Sequence, residues 1–377
     1  MIRSASGGRR GWRALTFLSV LLLAGCAGPG PKFARKPPNP VEVRAVINSA
    51  LPSGIRDRAG WTADIAGGFI KLGVPATREN VCAVVAVIEQ ESGFHVEPVI
   101  PGLGRIALQT IDHRASRAGV PLVLIHAALD LKSSNGRPYR ERIKAARTEK
   151  QLSDIFEDFI GRVPLGQTLF ASWNPIRTRG PMQVNVAFAE RFEEVKPYPY
   201  HDSRHRLRDE LFTRRASIYF GIAHLLDYRA PYDRYLYRFA DYNAGQYASR
   251  NAAFQRAASV VAGKPLAADG ILLPRDPHAK GVGTTERLLF SIAAKLRLSD
   301  SRIRDVLEKG TGESFERTAL YRRVFMLADR RSARRLPRAV LPRIRLQGPK
   351  LERPLTTAWY ARRVNERFEG CLRKGEG

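Results

Sequence analysis

Acidic residues are scarce in this chain, with 36 Asp and Glu set against 63 Lys and Arg and a net charge of +27. A surface with that imbalance seeks anionic partners, and polymeric anions hold it best. Alternating apolar and polar runs of strand type are also few, so an all-β architecture is excluded and a mainly α fold is expected. No repeat with a period of 20 to 50 residues occurs, which rules out a solenoid or propeller. Histidine is sparse, at seven residues. His201 and His205 stand four apart, as on a zinc-binding helix, but lack a third ligand nearby and the glutamate that follows the first histidine in such motifs. No metal and no cofactor is therefore expected. No serine sits in a strand-to-helix nucleophile elbow either. Cysteine is limited to three residues, Cys26, Cys82 and Cys371.

The N-terminus carries what the rest lacks. Arg3, Arg9, Arg10 and Arg13 precede an apolar run at residues 14–23 and a small-residue stretch ending at Cys26. The run is too short to span a bilayer comfortably and has the layout of a signal peptide over residues 1–25. Leu23, Ala24, Gly25 and Cys26 resemble a lipobox, which implies acylation of Cys26 and a membrane-held mature protein. Ala27 after that cysteine implies sorting to the bacterial outer membrane, facing the periplasm. Removing residues 1–25 takes away four arginines and no acid, leaving about +23. Export makes nucleic acid the least suitable polyanion, ahead of which stand peptidoglycan and lipid head groups. With Cys26 used by the lipid, Cys82 and Cys371 remain as an even pair in an oxidising compartment, where a disulfide between them is expected. Residues 26–40, rich in Pro, Gly and Lys, read as a tether.

From residue 41 onward helical periodicity dominates. Helices are expected at 41–50, 61–72, 78–91, 121–131, 151–160, 186–195, 203–228, 233–243 and 247–261. A loop-rich stretch at 263–283 then divides the chain, and further helices follow at 284–298, 300–309, 314–329 and 355–372.

The helix at 78–91 reads RENVCAVVAVIEQE and stops at Gly93. Val81, Val84, Val85 and Ile88 mark one face by their spacing, and Glu91 continues it, whereas Glu89 points away toward solvent or a basic neighbour. A carboxyl at the end of a buried face, near the negative end of a helix, holds its proton to higher pH and can protonate a leaving group. Glu91 is thus the candidate acid.

Three short stretches occur in order: Glu91-Ser92-Gly93-Phe94, Gly180-Pro181-Met182-Gln183-Val184 and Tyr242-Asn243-Ala244-Gly245. Together they resemble the soluble type of lytic transglycosylases, which share the goose-type lysozyme fold. The resemblance implies an enzyme that cleaves the β-1,4 bond from N-acetylmuramic acid to N-acetylglucosamine in peptidoglycan glycan strands. Glu91 would be the single acid and base, the muramic C6 hydroxyl would attack C1, and a 1,6-anhydro sugar would result. It further implies that Ser92 steadies the acid, that Gly180, Met182 and Gln183 line the cleft, and that Tyr242 and Asn243 orient the acid and an acetamido group.

The chain departs from that pattern in places. About 85 residues separate Phe94 from Gly180, so an inserted subdomain is expected at about 95–179 within a lysozyme-like domain at 41–265. Residues 266–377 form a basic helical extension that the resemblance does not explain. Pro181 stands where leucine is usual. Asp241 stands where alanine is usual, pointing away to an arginine or, if it reached the cleft, supplying a second carboxylate. The whole chain is expected to fall in a group of bacterial lipoproteins known only as a domain of unknown function. The alternative from another class is a noncatalytic peptidoglycan-binding or scaffolding lipoprotein with a degenerate cleft.

Overall fold

The structure, a computed structural model, describes residues 39–162, 174–274, 281–346 and 355–374. The signal segment, Cys26 and most of the tether lie outside them. The chain is mainly helical. Asn39 caps α1 (Pro40–Ala50) and Asp57 caps α2 (Arg58–Leu72), which Gly73 ends in the left-handed conformation. Thr77 caps α3 (Arg78–Glu91) through the Asn80 amide.

Every residue of α3 from Val81 to Ile88 is buried. The sequence reading gave this helix a single apolar stripe, but α1 and the helices at Arg214–Leu226 and Thr357–Arg373 all pack on it, so it is the central rod of the main core. An eight-residue run without a polar side chain is what such a position requires.

Residues 100–176 carry α4 (Leu103–Arg117), α5 (Leu122–Asp130), α6 (Tyr139–Ala145) and α7 (Glu149–Gly161). They enclose a core of their own, built on Leu103, Tyr139, Ile143, Leu152 and Ile155 and closed by Phe212. The sequence reading missed α4 and α6. In α4 three arginines and His113 interrupt the apolar positions, and α6 has only seven residues.

The chain then returns through a two-stranded antiparallel hairpin, β1 (Thr178–Arg179) and β2 (Val184–Asn185), into α8 (Val186–Val195). The single helix expected at 203–228 is broken into α9 (Leu207–Glu210) and α10 (Arg214–Leu226), because Thr213 caps α10 and so starts it afresh. Next come α11 (Tyr235–Ala244) and α12 (Ala248–Ala262).

Beyond them are α13 (Thr284–Phe290), α14 (Ala293–Leu296), α15 (Asp300–Leu307), two short 3-10 turns and α16 (Ala319–Arg331). The helix expected at 284–298 is interrupted at Ser291 and Ile292, between α13 and α14, and the one expected at 314–329 is interrupted where Thr318 caps α16. With α12 these elements enclose a third core around Phe254, Leu289, Phe315, Leu320 and Phe325.

The last helix, α17 (Thr357–Arg373), does not join its sequence neighbours. It packs on α3 and α11, and Tyr360, Ala361, Val364 and Phe368 belong to the main core. Cys371 on α17 is bonded to Cys82 on α3, with Cα atoms 5.6 Å apart. The cores thus divide the chain differently from a boundary after residue 265: α12 goes with the helices that follow, and the last helix goes with the first. Among the described residues no helix is long and apolar enough to cross a membrane.

Candidate active site

The Cys82–Cys371 bond fixes α17 antiparallel beside α3. Nine residues on from Cys82 is Glu91, and eleven before Cys371 is Tyr360, rises of about 14 and 16 Å along the two helices. The two side chains consequently meet: the Tyr360 hydroxyl donates to Glu91 Oε1 at 2.5 Å. Burial, followed by the nearby Glu91 carboxyl, raises the Tyr360 phenol well above its ordinary range and keeps it a donor. Glu89 sits on the exposed side of α3, as expected, with Arg367 Nε 3.8 Å from its carboxylate.

Glu91 lies at the floor of a cavity of about 240 Å³, opening between the main core and the inserted helices. Gly180 and Gln183 line it together with Glu97, Glu149 and Lys150 from the segment that carries α4 to α7. Burial pushes the Glu91 carboxyl up to about 7; the bond from Tyr360 acts against this, and the charge of Glu149 adds to it.

The hairpin turn is a second built feature. Gln183 N donates to Gly180 O at 2.8 Å across Pro181 and Met182, a turn that a proline in its second position favours. Gly180 has φ +71°, and a Cβ there would stand 2.3 Å from the Leu211 carbonyl oxygen, so only glycine fits. Gln183 takes φ +50°, unusual for a residue with a side chain. Its carboxamide is held at both ends: Thr178 Oγ1 donates to Oε1 at 2.7 Å, and Nε2 donates to Glu149 Oε2 at 2.9 Å. Glu149 stands in the first turn of α7, where Thr148 and Gln151 form a reciprocal capping box. The insertion is further pinned to the hairpin by Arg179, 1% exposed, which donates to Ser153 Oγ at 3.0 Å and lies over the Phe212 ring.

Of the residues named from the sequence, Glu91, Gly180 and Gln183 come together in the cavity. The other four act from outside it. Ser92 is buried, and its hydroxyl donates to Ile88 O at 3.0 Å, fixing the helix end without touching the acid. Met182 is a core residue, fully buried, not a cleft residue; its amide donates to Ser217 Oγ. Tyr242 stands behind the site and donates to the Met182 carbonyl at 2.7 Å, tying α11 to the hairpin. Asn243 accepts from Thr357 Oγ1 at 2.9 Å and so ties α11 to the start of α17, one turn before Tyr360.

Asp241 neither reaches the cavity nor meets an arginine. It is fully buried and accepts from the amides of Ser249 and Tyr247 and from the hydroxyls of Tyr228 and Tyr232. It organises the turn between α11 and α12, and burial raises its carboxyl to about 7. The further carboxylates of the cavity are instead Glu97 and Glu149. The paired histidines serve local carboxylates, His201 with Glu210 and His205 with Asp202.

Sequence reasoning missed Tyr360 and Glu149. The expected disulfide was the available signal for the first, since pairing Cys371 with Cys82 already places Tyr360 level with the end of α3. For the second, the Thr148-to-Gln151 capping signature marks the helix start but not where it points.

Because Tyr360 donates to the ionised acid, a Tyr360→Phe change is expected to raise the Glu91 pKa further, by about one unit, with the core packing kept. Carbon-13 NMR titration of the Glu91 carboxyl reads this directly; an unmoved or lowered value would show that the bond does not form.

Residues 54–374 match the family described as Protein of unknown function (DUF1615). The chain belongs to that family. The Uncharacterized protein YaiW of Escherichia coli (strain K12) is 49% identical over 361 residues, covering 96% of this chain and 98% of the relative. No solved structure matches.

Proposed function

We propose that the chain is a peptidoglycan lytic transglycosylase with a lysozyme-like main domain, held by a lipid on Cys26 at the outer membrane and facing the periplasm. The observation that carries this reading is Glu91: an acid kept protonated to about pH 7, bonded to Tyr360, at the floor of a cavity bordered by the Gly180–Gln183 turn. A carboxylic acid with that pKa protonates the bridging oxygen as the C1–O bond breaks. The carboxylate so formed then takes the proton of the muramic C6 hydroxyl as that oxygen bonds to C1. Acid and base are regenerated in one residue, no water is consumed, and the products are a 1,6-anhydromuramic end and a free 4-hydroxyl on the next sugar. The sugar's own hydroxyl replaces the second carboxylate of an ordinary glycosidase.

Glu149 favours one variation on this chemistry. It lines the same cavity as Glu91 and its charge is felt there, and a carboxylate in such a place can activate water in place of the C6 hydroxyl. Mass spectrometry of the material released from purified sacculi by the chain carrying Cys26→Ser separates the possibilities. Products ending in 1,6-anhydromuramic acid are expected. Reducing ends would assign water as nucleophile and Glu149 as base. Binding to sacculi without release would leave the noncatalytic, peptidoglycan-binding reading.

A further inference from the structure

The insertion carries an apolar surface that neither the cavity nor the three cores uses. In α5, Ile125 and Leu129 face the insertion core, yet the opposite side is apolar too. Val123 is 72% exposed, Leu124 61% and Leu131, at the helix end, 60%. Val120 and Leu122 extend the patch, and Ala127 completes a stripe at steps of three and four along the helix axis. A helix apolar on both sides belongs between two apolar surroundings, and the described residues supply one of them.

The rim decides what the other is. His113, Arg114 and Arg117, exposed on the last turns of α4, and Lys132 just after α5 flank the patch in sequence, and α4 packs on α5. None of Arg114, Arg117 and Lys132 has a carboxylate partner among the described residues. The nearby acids are engaged elsewhere, Asp112 with His126 at 3.0 Å and Asp130 with Arg140 at 2.6 Å. Unshielded cations around aliphatic side chains suit a surface with negative charge at its edge and hydrocarbon beneath it. Among the described residues no aromatic side chain of the kind that anchors protein partners stands in the patch.

We infer that the α4–α5 tip of the insertion docks on an anionic phospholipid surface, Val123, Leu124 and Leu131 entering the head-group boundary while Arg114, Arg117 and Lys132 contact phosphates. The proposed lipid on Cys26 would bring such a surface within reach, because the 14 residues from 27 to 40 extend at most about 50 Å. The docking itself does not rest on the transglycosylase reading: it places the insertion, not the cavity, against the membrane.

The test uses the mature chain with Cys26→Ser, so that no acyl chain contributes, in co-sedimentation with vesicles of phosphatidylcholine containing about one third phosphatidylglycerol. The parent is expected to bind them, and pure phosphatidylcholine much more weakly. Replacing Val123, Leu124 and Leu131 together by Ser keeps the net charge and removes only exposed side chains; it should weaken binding at least ~10-fold. The Arg114→Ala, Arg117→Ala, Lys132→Ala variant should reduce binding to anionic vesicles and abolish the preference for them. Equal binding by parent and serine variant would overturn the inference, since general basicity would then account for it. So would absence of parent binding, or a parent that is dimeric in sedimentation and becomes monomeric with the three serines, which would assign the face to a second copy of this chain.

Discussion

A Glu91→Gln variant is expected to release no 1,6-anhydro products from sacculi, with at least a ~1000-fold loss in rate, while folding as the parent does. The amide keeps an acceptor for the Tyr360 hydroxyl but has no proton to give. Its stability carries a second, signed expectation. In the parent the folded-state pKa of Glu91, about 7, lies above its ordinary value of 4.5, so folding binds a proton in that interval. The stability associated with this group is fully present below about 4.5 and is lost as pH rises through about 7. The variant carries no such dependence. Thermal melts should therefore show it close to the parent at pH 5 and at least as stable at pH 8. Parent activity should follow the same group, falling as pH is raised past about 7, where the acid gives up its proton. Full release by the variant would end the proposal for Glu91. A variant that melts well below the parent at pH 8 would show instead that the carboxylate is held in charged form by partners not identified at the site.

The second large effect concerns the bond between Cys82 and Cys371, 289 residues apart in sequence. Closing a loop of that length restricts the unfolded chain severely, and removing the bridge through Cys82→Ala and Cys371→Ala is expected to lower stability by about 4 kcal/mol. The parent in reductant should melt like the double variant in its absence. The loss should reach the site as well, because α17 brings Tyr360 to the acid. The rings of Tyr235 and Phe239 against Phe368 still hold the helix, at centroid separations of 4.8 and 5.6 Å. Activity should consequently persist at low temperature and disappear at a lower temperature than in the parent. Melting that does not respond to reductant would mean that the two thiols are not joined in the protein.

Where local signals are strong the sequence was a good guide. Thr77 before Arg78 and Gly93 after Glu91 bound α3 to the residue, and the Asn185 cap does the same for α8. The disulfide followed from parity and compartment, and the position of Glu91 from helical spacing. What the sequence did not show is long-range. That Met182 belongs to the core and Tyr242 braces the hairpin depends on how α10 and α11 close behind the turn, which no short motif records. Asp241 was expected to meet an arginine or reach the cleft because its four donors, two amides and two tyrosine hydroxyls, come from residues spread between 228 and 249. Glu149 reaches the cavity only because Arg179 and Phe212 seat the whole insertion on the hairpin.

The placing of α17 also governs when the molecule can exist. Its main core is laid down by α1, α2 and α3 at the start of the described chain and completed by a helix whose last residue is Arg373. A ribosome that has finished α11 has made every other wall of that core but not the one that covers α3 and supplies Tyr360. The nascent chain must wait, apolar rod uncovered, until α17 has been translated, and contacts of such sequence separation form slowly. Closure of the main core is thus deferred until α17 has been made, an order of events that would suit the export proposed above.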